Sequence, residues 1–295
     1  MRNFSLFFAA AIASTAFGAT RSVPSQFSTI QAAVNAASIG DTISIAAGNY
    51  NEQVTIPSGK TGLTLIGAGK TSTRIFVGVA QHALTLNATD TLVKNMTLDI
   101  AVGQTDGQQE AVFVTGKQIS FNNCLIKGWQ DTLQMKTGSQ CYFFKCEIWG
   151  SVDFIFDGGT AFFDQCTITQ IRVANPAGGY NCAPSAPLGT RGIIFSSCYC
   201  NHAAGVPNAS SVLCRVWKAP GECAHINCSM DHHISPAGYK TWNEDSTSRV
   251  AEFNSTWHSD GTKIDLSLRA PWCKRLTSAA GYSKTDILGT WNPRL

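Results

Sequence analysis

A pattern Phe-x-x-Cys-x-Ile recurs through the middle of the chain. It reads Phe121-Asn122-Asn123-Cys124-Leu125-Ile126, then Phe143 to Ile148, then Phe163 to Ile168, with a degenerate copy at Phe195 and Cys198 and weaker echoes at Val93 to Leu98 and Asn227 to Met230. The cysteines of the three clear copies stand 22 and 20 residues apart, the period of a solenoid coil. Within a copy Phe and Cys are three apart, so one continuous strand would point them to opposite faces; both are apolar, which requires a turn between them. Asn95, Asn123 and Asn227, each just before the Met or Cys position, suit a left-handed corner. Two short strands joined by a one-residue corner, repeated each coil, describe an all-β fold: a right-handed, single-stranded parallel β-helix with a core of stacked ladders. Cys124, Cys146, Cys166, Cys198 and Cys228 are read as small apolar rungs of that core rather than metal ligands or disulfides. Zinc spacing of the Cys-x-x-Cys type is absent.

The ends of the chain carry other signals. Arg2, an apolar run from Phe4 to Phe17, and small residues at Ala16 and Gly18 have the layout of a cleaved leader over 1–18, and that run is short of the roughly 20 apolar residues a membrane span needs. Residues 19–295 then form one domain, expected to be secreted. Beyond the leader, five Asn-x-Ser/Thr sequons, at Asn87, Asn95, Asn208, Asn227 and Asn254, fit export as a glycoprotein. Eleven cysteines in an exported chain suggest some disulfides, and the odd count leaves at least one thiol over. Behind Ser28 as cap, with Gln31 at the third position, apolar residues at helical spacing up to Ala37 predict a short helix over the open end of the solenoid. A formal charge of +3 is too small to indicate nucleic acid and is compatible with an acidic polymer.

The repeat also places a pair of acids. Asp131 follows Cys124 by seven residues and Asp153 follows Cys146 by seven, so they share a register on successive coils. Strands in such a stack lie about 4.8 Å apart. Two carboxylates at that separation do not both ionise cheaply, so one is pushed toward the protonated state while a cation holds the other charged. Gly128-Trp129-Gln130-Asp131-Thr132-Leu133 and Gly150-Ser151-Val152-Asp153-Phe154-Ile155-Phe156 surround them with apolar and aromatic side chains, the composition of a cleft floor.

On these residues the chain resembles the pectin methylesterase family, from about Phe27 to Trp291. Gln130-Asp131-Thr132-Leu133 and Gly150 to Phe156 match two long, specific family motifs. Gly48-Asn49-Tyr50-Asn51-Glu52 is similar to Gly-x-Tyr-x-Glu, Leu213 to Trp217 is a degraded Leu-Gly-Arg-Pro-Trp, and Glu110-Ala111-Val112 aligns with Gln-Ala-Val. The resemblance implies that Asp153 attacks the ester carbonyl, Gln130 donates to the oxyanion, Asp131 protonates departing methanol and then activates water, and Arg215 orients Asp153. It implies pectin as partner, no cofactor and no metal, and sugar-facing aromatics at Trp217, Trp242 and Phe154, with a core role the rival for the two tryptophans. Tyr50 and Glu52 are read as structural. The chain is expected to act as a monomer, without nucleic acid or membrane.

Three departures bear on activity. Glu110 stands where the family has its first oxyanion glutamine, and Gln109 replaces it only if the strand slips by one residue, which reverses its facing. Cys214 and Val216 replace Gly and Pro beside Arg215, and Asp157 replaces the Gly that ends the nucleophile motif, adding an acid and a side chain where a turn favours none. A protonated Glu110 donates much as an amide does, so the expectation is greatest activity at acidic pH. Two rivals stay open: a wall-binding β-helix that has lost activity through Glu110 and Asp157, and a pectin depolymerase. The Asn-Thr-Asp, Asp-Asp and His-Gly motifs of the latter are absent.

Overall fold

The computed structural model describes residues 18–78, 82–101, 103, 107–172, 178–242 and 247–295. The leader expected over 1–18 lies, but for Gly18, outside them. Among the described residues, three long sheets are built from parallel strands that pair coil upon coil, giving a parallel β-helix. An eleven-stranded sheet contains Ile119–Asn122, Gln140–Phe144, Thr160–Asp164, Ile193–Ser196 and Glu222–Ile226. A nine-stranded sheet follows each corner, with Leu125–Lys127, Glu147–Gly150, Thr167–Gln170 and Tyr199–His202. The third sheet, of seven strands, includes Val112–Val114, Leu133–Met135, Val152–Asp157 and Gly179–Pro184.

The corner between the first two sheets is the one the repeat demands. Asn95, Asn123 and Asn227 have φ of 58°, 52° and 54°, and Lys145, Gln165, Ser197 and Asn254 take the same left-handed conformation. Asparagines there also bond to one another: Asn123 Nδ2 donates to Asn95 Oδ1 and Asn254 Nδ2 to Asn227 Oδ1, each at 2.9 Å. Three of the five sequon asparagines are therefore corner residues.

Inside, Phe121, Phe143, Phe163, Phe195 and His225 occupy one register and stack with centroids 4.8, 4.3, 4.8 and 4.7 Å apart. Each phenylalanine of the ladder contributes about 1.5–3 kcal/mol by leaving water, with roughly 0.5–1.5 more per stacked aromatic pair. The five repeat cysteines are buried beside them, thiols turned to backbone carbonyls such as Phe143 O for Cys166. All eleven cysteines are free and buried, so the disulfides expected for an exported chain are not formed: the ladders spend these residues as core.

At the N-terminal end the helix Ile30–Ala36 buries Ile30, Ala33 and Val34 against the first coils. Its cap is Thr29 rather than Ser28, with Thr29 Oγ1 accepting from the Ala32 amide. The Glu52 carboxylate completes the cap by accepting from the Ile30 and Gln31 amides at 3.0 and 3.1 Å, which gives that motif residue its structural role. Gln31 turns instead to the strand Val54–Ile56, where its Oε1 accepts from the Thr55 amide. A second helix, Lys284–Leu288, opens with a Ser283/Asp286 capping box and packs Ile287 and Leu288 near Tyr142 and Phe162, outside the eleven-stranded sheet.

Candidate active site

Leu133 pairs with Ile155 and Val112 with Leu133, so Glu110, Asp131 and Asp153 fall on neighbouring coils at the entry to the third sheet. Backbone bonds lock that arrangement, with the Asp131 amide donating to Val152 O at 3.1 Å. Both aspartates are left-handed, with φ of 63° and 49°. Such a conformation is uncommon outside glycine and is tolerated by Asp; here it lets two adjacent coils present carboxylates at the same edge. Both side chains are almost wholly buried.

Arg215 sits on the strand Cys214–Val216 and reaches Asp153 with both ends of its fork: Nε donates to Oδ1 at 3.2 Å and a terminal nitrogen donates to Oδ2. Its guanidinium is clamped between the rings of Tyr180 and Trp242, 3.9 Å from each centroid. The flanking departures face inward. Cys214 and Val216 are buried, and the Cys214 thiol lies within 4.8 Å of those of Cys182 and Cys223 in the core beneath the arginine. They replace Gly and Pro without disturbing the outward direction of Arg215.

Burial pushes the Asp131 carboxyl up to about 7, with the charges of Asp153 and Glu110 adding to the rise and Arg215 opposing it. Burial also raises Asp153, while hydrogen bonds and charge from Arg215 pull it back down. Asp131 forms no ion pair among the described residues. It is thus the member suited to carry a proton, and Asp153 the member suited to carry charge.

An open cleft of about 250 Å³ lies over the pair, lined by Glu110, Asp131, Asp153, Trp217 and Trp242, and also by Gln108, Gln134, Phe156 and Ala183. Gln108 and Gln134 were not singled out from sequence, although strand alternation gives the signal: Gln108 is two residues before Glu110, and Gln134 lies opposite Phe156 in register. Gln109 is buried and turned away, so no slip has brought it to the cleft. Gln130 is half-buried and stands beside the lining, bridging the backbones of Gln108 and Val152. The Glu110 carboxylate lies 3.6 Å from His82 Nδ1.

Phe154 requires correction. It is fully buried in the core rather than facing a substrate. The register shifts between Val152 and Ile155, and with Asp153 left-handed the simple alternation breaks, so Phe154 turns inward and Phe156 takes the cleft wall. Gly150 makes room for it, since a Cβ there would come within 2.2 Å of Phe154 Cβ. Asp157 has φ of 87°, as a position suited to glycine would. Its charge is met, however: Lys136 Nζ is 3.0 Å away, Gln134 Nε2 donates at 2.8 Å, and the Gly158 amide donates at 2.7 Å. Burial acts to raise Asp157, but these partners outweigh it and hold the carboxyl below its usual range.

Two buried carboxyls on adjacent coils of a parallel β-helix, one paired with an arginine and the other raised to about 7, lie under an aromatic-edged open cleft, an arrangement suited to carboxylic ester hydrolysis on a polymer. The comparisons agree. The family model described as Pectinesterase matches residues 19–285, and the chain belongs to the pectinesterase family. It is 29% identical over 269 residues to a pectinesterase of Petunia integrifolia, covering 84% of this chain and 71% of that one. The solved pectin methylesterase of Erwinia chrysanthemi superposes with a TM-score of 0.80 at 26% identity, over 96% of this chain and all of that one (100%). A pectin methylesterase solved in complex with a hexasaccharide gives a TM-score of 0.79 at 25% identity, over 96% of this chain and 100% of that one.

Proposed function

We propose that this chain hydrolyses the methyl esters of galacturonate units in pectin through Asp153 and Asp131. An Asp153 oxygen attacks the ester carbonyl, and the tetrahedral oxyanion forms against amide donors at Gln130 and on the cleft wall at Gln108 and Gln134. The intermediate collapses, the C–OCH₃ bond breaks, and Asp131 gives its proton to the departing methoxide, leaving methanol and an acyl-enzyme anhydride. Asp131, now a carboxylate, takes a proton from water as the water attacks the acyl carbon. Asp153 leaves as a carboxylate, the product acid loses its remaining proton to solvent and departs as galacturonate, and Asp131 is again protonated. Each turnover consumes one water and forms one methanol, and the sugar chain stays intact.

The observation that carries this reading is the asymmetry of the pair: Arg215 grips Asp153, while Asp131 is raised to about 7 and has no ion-pair partner among the described residues. Trp217, edge-on to Phe156, and Trp242, whose ring stacks on Arg215 while half of it stays exposed, edge the cleft where a galacturonate chain would lie. The enzyme is further proposed to be secreted and monomeric. Highly methylated pectin treated with the purified chain, without added metal, should release methanol at constant polymer length. Release of unsaturated or shortened fragments would instead mark a depolymerase, and binding without methanol release would mark a wall-binding protein disabled at Glu110.

A further inference from the structure

Away from the ester site, three side chains with metal-ligating atoms converge. His202 ends the strand Tyr199–His202, and Asp231 and His233 follow the strand Ser229–Met230 on the next coil. One donor atom from each lies within 4.8 Å of the others. In the ladder that runs Gly150, Gln170, His202, the cluster is two strand steps past the nucleophile's coil, about 10 Å along the axis.

The surroundings of each residue leave the converging atoms free to ligate. His202 Nδ1 donates to the Ala203 carbonyl at 3.0 Å, which assigns the proton to that nitrogen and turns a lone pair at Nε2 toward Asp231 Oδ2, 3.9 Å away. Asp231 is oriented by the Tyr199 hydroxyl, which donates to Oδ2 at 2.6 Å. His233 is fully buried, and neither ring nitrogen meets full hydrogen-bond geometry with a partner among the described residues, although the Asp231 backbone lies near enough to act on the ring. A buried polar atom left without a partner costs about 1–3 kcal/mol, so an imidazole with no well-formed hydrogen bond asks for an explanation that packing does not supply. The imidazoles of His202 and His233 are tilted by 42° with centroids 5.0 Å apart, so they do not form a flat stack that would account for the ring.

We propose that His202, Asp231 and His233 bind one late first-row divalent cation, zinc among the common ones, as a clamp between two coils. Two imidazoles and one carboxylate are a donor set for zinc, copper, nickel or cobalt, and a poor one for calcium or magnesium, which take oxygen. A tetrahedral zinc holds nitrogen and oxygen donors at about 2.0–2.1 Å, which sets them about 3.3 Å apart. Small rotations of His202 and Asp231, both partly exposed, close the existing separations.

The test uses untagged full-length protein stripped with a chelator and then titrated with Zn²⁺ by calorimetry and with Co²⁺ by visible absorption. The expected result is one equivalent of each, d–d bands of a low-coordinate cobalt site, and a thermal midpoint that rises with Zn²⁺. His202→Ala and His233→Gln should weaken binding at least tenfold, while His232→Ala, the exposed neighbour stacked on Trp257, keeps it. Should His233→Gln fail to fold, His202→Ala decides, because its side chain is only partly buried. No stoichiometric binding, or equal binding by wild type and His202→Ala, overturns the proposal.

Discussion

Asp131→Asn removes a titrating group while keeping the shape of the side chain, and its effect on stability should depend on pH. Burial, with help from Asp153 and Glu110, lifts the carboxyl from 3.8 to about 7. That is a shift of about 3 units, and at roughly 1.4 kcal/mol per unit it corresponds to at most about 4 kcal/mol. The sign follows from linkage: a carboxyl whose folded value is raised favours the folded state while protonated. Its contribution is complete below 3.8, falls as the unfolded chain begins to ionise, and is gone once pH passes about 7. Asparagine has no such dependence. Relative to wild type, the variant should therefore gain stability between pH 4 and pH 8 by up to about 4 kcal/mol, and be the more stable protein at pH 8. Urea unfolding midpoints of both proteins at pH 4, 6 and 8 measure this directly. Turnover should fall on the order of 10²–10⁴-fold, so stability and activity move in opposite directions. A stability difference that is the same at all three pH values would refute the electrostatic account of the pair.

Glu110→Gln should raise the rate of ester hydrolysis near pH 6, because an amide replaces a carboxylate at the cleft wall, and one oxyanion donor is worth on the order of 10²–10³ in rate. The same change removes a charge that raises Asp131, so the alkaline limb of the pH–rate profile should move to lower pH; superimposable profiles would mean that Glu110 faces neither group. Arg215→Lys keeps the charge but loses the fork to Asp153 and the flat fit between Tyr180 and Trp242, and steady-state kinetics should show kcat down at least about tenfold. Phe163→Ala, in the middle of the ring ladder, should cost about 3–5 kcal/mol in urea unfolding while the folded fraction keeps its specific activity.

Much of the fold was legible because the ladders repeat: Phe and Cys return each coil, and the three-residue offset between them forces the corner where Asn95, Asn123 and Asn227 sit. The paired aspartates were legible for the same reason, since seven residues after the cysteine is one place on every coil. What escaped is what departs from period. Lys145, Gln165 and Ser197 adopt the corner conformation without the composition that announces it, because neighbouring coils dictate their backbone. Phe154 was placed on the wrong face because a register shift beside a left-handed Asp153 breaks alternation, and sequence carries no mark of that shift. The helix Lys284–Leu288 lies outside the repeat, and its place against the outer face of the long sheet depends on contacts that no period announces. Contacts between distant segments, such as Arg215 between Tyr180 and Trp242 or Lys136 against Asp157, depend on the coil geometry and become visible only when it is built.

The central claim, that Asp153 is the nucleophile of pectin demethylation, is tested most directly by methanol release from highly methylated pectin by wild type and Asp153→Asn, with circular dichroism and an unfolding curve for each. The account predicts steady methanol release by wild type, none above background by the variant, and a cooperative β-rich fold in both. An Asp153→Asn protein that folds and keeps most of the wild-type rate would contradict it.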